Sequence, residues 1–117
     1  MDNRQAILDS ALTLFYEKGY DAVGVQQIVD AAGVTKPTLY YYFGSKQGLL
    51  SCLLEEQFSR LETQMEKVKD APEKIQDKLY HAARIFLNGA SAEPEFYLLM
   101  LALFYSGRKS EGFQTVY

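Results

Sequence analysis

Between positions 36 and 46 the chain places Lys36, Pro37, Thr38, Tyr40, Tyr41, Tyr42 and Lys46, and no acidic residue falls anywhere from 31 to 48. Ammonium groups and phenol hydroxyls donate to phosphate oxygens, a threonine methyl can meet a thymine methyl, and a lysine can reach guanine in a major groove that just admits a helix. Three consecutive tyrosines are more than solvation requires. The residues alone leave a second explanation open: tyrosines often half-bury their rings between helices and keep their hydroxyls wet, with no ligand involved.

The elements that must position these side chains follow from apolar spacing. Ile7, Leu8, Ala11, Leu14 and Phe15 repeat at helical period over 4–18, with Gly19 as a stop. Val25, Ile28, Val29 and Ala32 form a second, two-turn stripe between an N-cap at Gly24 and a stop at Gly33. Thr35 caps a third helix that tolerates Pro37 in its first turn, turns Leu39 and Phe43 inward and ends at Gly44. Two short helices joined by Ala32-Gly33-Val34-Thr35 form a helix-turn-helix pattern, and the first helix supplies the third wall of a trihelical unit.

Ser45 then caps a long fourth helix running from Lys46 to about Lys69, with Gly48 a weak point in its first turn. Asp70 and Glu73, a capping-box-like pair around Pro72, are expected to open a fifth helix with Ile75, Leu79, Ala82 and Phe86 inward and Asn88-Gly89 at its end. A sixth helix is expected from about Glu93 to Ser106. No stretch alternates with strand period, so the fold class is all-α: a three-helix unit joined by a long fourth helix to a partial helical domain. The expected division is 1–48 and 49–117.

Composition excludes more than it selects. The chain has 117 residues, a net charge of −3 and a pI of about 5.1, which disfavours broad phosphate binding and confines any such contact to a few placed cations and amides. A single cysteine, Cys52, allows neither a disulfide framework nor a thiolate metal site, and is best read as a small buried apolar residue. The longest apolar run, from Phe96 to Tyr105, is too short for a membrane span, so a cytoplasmic protein is expected. Glu73, Asp77 and His81 share one helix face and could hold a metal or move protons, yet no second histidine or cysteine stands near; no metal, cofactor or catalysis is expected. A helical protein-interaction module using the Tyr40–Tyr42 patch remains the other class.

The segments Gly19-Tyr20, Val25 through Phe43, and Ser45-Lys46-Gln47-Gly48-Leu49-Leu50, with Leu14-Phe15 before them, resemble the DNA-binding domain of the TetR (tetracycline-repressor) family over residues 4 to about 54. The resemblance implies a transcriptional regulator, usually a repressor, that binds a palindromic operator in double-stranded DNA as a homodimer and is released by a small-molecule effector. It implies that Lys36, Pro37, Thr38 and Tyr41 face bases, that Tyr40 and Tyr42 touch backbone or neighbouring base edges, and that Gln26 occupies a base-contacting position. Thr35 heads the same surface, and Lys46 matches the cation that grips phosphate at the start of the fourth helix.

Gly24 and Val23 depart from the family's hydroxyl cap, removing one side-chain phosphate contact. The resemblance also places an effector pocket among Phe86, Phe96, Tyr97, Met100 and Phe104, residues that an ordinary core would equally use. Family members are longer, so the chain, ending in Gly112-Phe113-Gln114-Thr115-Val116-Tyr117, is expected to be incomplete.

Overall fold

Helices of unequal length run through the computed structural model, which describes residues 2–106 and 111–116. In order they are α1 (Asn3–Lys18), α2 (Val25–Ala32), α3 (Lys36–Phe43), α4 (Lys46–Asp70), α5 (Ile75–Ala92), α6 (Pro94–Phe104) and α7 (Glu111–Val116). No strand occurs among the described residues, in keeping with the all-α expectation. Tyr117, at the chain's end, lies outside them.

Caps set the boundaries of the first four helices. The Asp2 carboxylate accepts from the Arg4 amide at 3.0 Å at the head of α1, and Ser45 accepts from the Gly48 amide at 2.9 Å at the head of α4. Gly24 has no side chain to cap α2. Instead Gln27 reaches back, and its amide oxygen accepts from the Gly24 N–H at 2.9 Å, the reciprocal half of a capping box. Thr35 stands at the N-cap of α3 but makes no side-chain cap bond; its hydroxyl shares a 3.0 Å hydrogen bond with that of Thr38.

The core gathers Ile7, Leu8, Ala11 and Phe15 of α1, Ile28 and Val29 of α2, Leu39 and Phe43 of α3, and Leu49, Leu50, Leu53 and Leu54 of α4. Each of these side chains larger than alanine contributes roughly 1.5–3 kcal/mol of apolar burial. Phe96, Leu99 and Leu103 of α6 enter the same core, so the sixth helix packs directly on the three-helix unit. Cys52 is half-buried against that core.

Four boundary expectations are corrected. Helix α5 does not open on a capping box: α4 runs through Asp70, Lys74 is the N-cap of α5 without a side-chain bond, and Glu73 turns to His81. Nor does α5 stop at Asn88-Gly89. It continues to Ala92, because Gly89 is there for close approach; a Cβ would lie 2.6 Å from the Tyr97 hydroxyl oxygen. Helix α6 is shorter at both ends than expected, and α7, which carries no apolar period that marks it, was not anticipated.

The inward face of α5 is also corrected. Ile75 and Leu79 are both 64% exposed and Phe86 is exposed; the half-buried positions are Lys78, His81, Ala82, which was expected inward, Ile85, Gly89 and Ala90. Ala82, Gly89 and Ala90 allow the helix to approach its neighbours closely, and Ile75, Leu79 and Phe86 are left outside.

Gly48 has a role in packing that its low helix propensity conceals. A Cβ at this position would lie 2.1 Å from the backbone oxygen of Phe43. Gly48→Ala should therefore destabilise the chain by about 1–3 kcal/mol, against a propensity gain of about 1 kcal/mol. Denaturant unfolding checks this, and a stabilised variant would contradict the close approach.

Candidate nucleic-acid interface

The turn between α2 and α3 depends on one glycine. Gly33 adopts φ 72°, ψ 32°, the left-handed region that residues with a Cβ rarely enter. This lets the Val34 N–H donate to Val29 O at 3.0 Å and the Gly33 N–H donate to Asp30 O at 3.3 Å, satisfying carbonyls at the end of α2. Val34 then packs against the core.

Helix α3 leaves this turn with Leu39 fully buried and Phe43 8% exposed. The rest of its surface is open. Lys36, Pro37, Tyr40, Tyr41 and Tyr42 are exposed, with Tyr41 at 81% and its ring edge-on to Tyr42 at 5.1 Å between centroids. Thr38 is half-buried through its contact with Thr35. The half-buried tyrosine alternative therefore fails for Tyr41, whose ring gains little from the fold.

Gln26 is exposed on α2, and its side-chain amide donates to Asp30 Oδ1 at 2.8 Å, one turn along. Asp30, given no role in the sequence reading, thus orients a residue of the candidate surface. Arg4 braces the unit: its guanidinium pairs with Glu56 at 2.6 Å and lies 5.6 Å from the Phe43 ring centroid. The Glu56 hydrogen bond raises the Arg4 pKa further.

Lys46, the first residue of α4, is half-buried with its ammonium 4.1 Å from the centroid of the Tyr20 ring. Tyr20 packs edge-on against Phe15 at 5.1 Å, and its hydroxyl donates to Glu111 of α7. Burial, and then the Glu111 hydrogen bond, hold the Tyr20 phenol well above its ordinary pKa. The Tyr20–Glu111 pair spans 91 positions and had no signal in the sequence.

Of the candidate pocket residues, Phe86, Tyr97 and Met100 line one cavity of about 310 Å³ between α5 and α6, with Ala90, Pro94, Leu98 and Leu101. Phe96 is instead buried in the core, edge-on to Phe58 at 6.2 Å, and Phe104 is exposed away from that cavity. A larger cleft of about 560 Å³ lies where α1 and the α1–α2 connection meet α6. His81 Nδ1 lies 3.2 Å from the Glu73 carboxylate. Among the described residues no group of three or more His, Cys, Asp or Glu could hold a metal, and no helix is long and apolar enough to cross a membrane.

A helix-turn-helix with an open recognition helix is thus the class that fold and surface define. Residues 7–52 match the family described as bacterial regulatory proteins, tetR family. The HTH-type transcriptional repressor BdcR of Escherichia coli is 47% identical over 49 residues, which cover 42% of this chain and 25% of BdcR. The HTH-type transcriptional regulator EthR of Mycolicibacterium smegmatis is 29% identical over 94 residues, covering 80% of this chain and 43% of EthR.

Among solved structures, fatty acid degradation regulator FadR from Bacillus halodurans superposes with a TM-score of 0.83 at 22% identity, covering 99% of this chain and 60% of FadR; it shows the fold alone. The TetR-family regulator PfmR from Thermus thermophilus gives 0.74 at 27% identity, covering 94% and 60%. The chain spans less than half the length of these curated relatives, 25% of BdcR and 43% of EthR.

The Tyr20 environment makes alkaline stability sensitive to one phenol. Burial, and then the hydrogen bond that the neutral phenol donates to Glu111, hold its folded-state pKa above the unfolded value of about 10. Its stabilisation is complete below that value and is lost as pH rises toward the folded one. Melting temperature should fall from about pH 10 upward, and Tyr20→Phe should lose that part of the fall. An alkaline slope unchanged by the substitution would contradict the assignment.

Proposed function

We propose that this chain reads operator DNA for a transcriptional regulator of the tetR family, acting in the cytoplasm as a repressor rather than as an enzyme. The observation that carries the reading is the division of α3: Leu39 and Phe43 hold it in the core, while Lys36, Pro37, Tyr40, Tyr41 and Tyr42 stand outside. In the major groove this face would place Lys36, Pro37, Thr38 and Tyr41 against base edges and Tyr40 and Tyr42 against backbone. Thr35 lies at the approach, and Gln26 adds an amide from α2. Lys46, where amides of the α4 N-terminus also point outward, would grip a phosphate.

The acidic pI does not oppose this, because the contact is local. BdcR and ComR of Escherichia coli, to which parts of this chain are similar, are both named transcriptional repressors. A homodimer would lay two copies of α3 in successive grooves about 34 Å apart, on a palindromic site. Residues 1–48 form the reader in this account, and 49–117 contribute to an effector and dimerisation unit. The cavity lined by Phe86, Tyr97 and Met100 suits an apolar effector, and α6, which shares the reader's core, is the route by which occupancy would change half-site spacing.

Selection from a random DNA pool should enrich a palindrome, and a pool without enrichment at low salt would refute the function. On the enriched duplex, Lys46→Ala should weaken binding to all sequences and flatten the slope of log affinity against log salt by about one unit. A slope equal to wild type would remove Lys46 from the interface. Thr38→Ala and Tyr41→Ala should alter the enriched motif more than nonspecific affinity; identical motifs would contradict base contact by these residues.

A further inference from the structure

Tyr20 belongs to no base-reading surface, yet it joins the candidate phosphate cation to a helix remote in sequence. Its ring is 5% exposed and fixed edge-on by Phe15. The Lys46 ammonium rests 4.1 Å from the ring centroid, and the hydroxyl donates to Glu111 of α7. Helix α7 also reaches the head of α4 a second time, where Gln47 Nε2 donates to Thr115 Oγ1 at 3.3 Å.

Two physical facts give this arrangement a consequence for Lys46. An ammonium at a helix N-terminus is opposed by the positive end of the helix dipole, and a flexible lysine loses rotamer freedom on gripping a ligand. The negative face of an aromatic ring beneath the ammonium offsets the first and removes part of the second. A cation held over a ring still directs N–H groups outward.

We propose that Tyr20 is a positioning residue for DNA binding: its ring holds the Lys46 ammonium at the head of α4, and Glu111 gives α7 a hold on that ring. The role rests on the DNA-reading function. Phosphate contact by Lys46 then depends on whether α7 is docked.

The test has a DNA-free arm and a DNA arm. In NMR spectra of the lysine-labelled chain, the Lys46 ε-methylene protons should be shifted upfield by the ring in wild type and in Tyr20→Phe, and not in Tyr20→Leu. On the duplex enriched by wild type, Tyr20→Leu should weaken binding about fivefold, the size of a moderate cation–π contact, and Tyr20→Phe should recover most of that loss. In a Lys46→Ala background, Tyr20→Leu should cost nothing further, whereas a merely structural role would give losses that multiply.

Glu111→Ala, which leaves the core ring in place, covers the case in which Tyr20→Leu does not fold. It should weaken binding about twofold, as a fraction of the cation–π contact, only where Lys46 is present. Multiplying losses, or a Glu111→Ala variant equal to wild type, would overturn the proposal. An absent upfield shift alongside intact DNA binding overturns the role of Tyr20 alone. An intact shift in a chain that enriches no DNA overturns the DNA-reading function and the role with it.

Discussion

An eight-residue helix cannot hold its own shape in water, and every feature of the candidate reading surface depends on how that deficit is met. In α3 it is met by two side chains one turn apart, Leu39 and Phe43, set into a core walled by α1, α2 and α4. Since two positions anchor the helix, its other positions are released from packing and carry lysine, proline, threonine and tyrosine. Gly33 fixes the angle at which α3 leaves α2, and Gly48 lets the head of α4 approach the end of α3 closely.

This economy ties the reader to the rest of the chain. Phe96, Leu99 and Leu103 of α6 share the core that anchors α3, so α6 and the reading unit meet through packed side chains rather than a loose linker. At the other edge, Glu111 of α7 meets Tyr20, and Tyr20 lies under Lys46. Packed cores shift between discrete arrangements more readily than they deform, which is how a change in the helices beyond α4 could reach the spacing of two recognition helices.

The first four helices were legible because each is bounded by strong local signals: Gly19, Gly33 and Gly44 as stops, Ser45 as a cap, and apolar residues at regular spacing. The exposure of Tyr41 followed from the inward pairing of Leu39 and Phe43. Beyond Asp70 local signals lost authority. Gly89 reads as a stop in isolation, but its meaning depends on Tyr97, and the seam of α5 follows its small residues rather than Ile75, Leu79 and Phe86. Asp30, Glu111 and the ring of Tyr20 matter through partners that only folding brings near, and Gln27 showed its capping role only once Gly24 was seen to lack a side-chain cap.

In the proposed function, the outward face of α3, with the heads of α2 and α4, meets DNA. Amide chemical-shift mapping of the folded chain during titration with its enriched duplex tests this most directly. The largest changes should fall at Gln26, Lys36, Thr38, Tyr40, Tyr41, Tyr42 and Lys46. Changes centred on the exposed face of α5 around Ile75, Leu79 and Tyr80, with α3 unmoved, would contradict it.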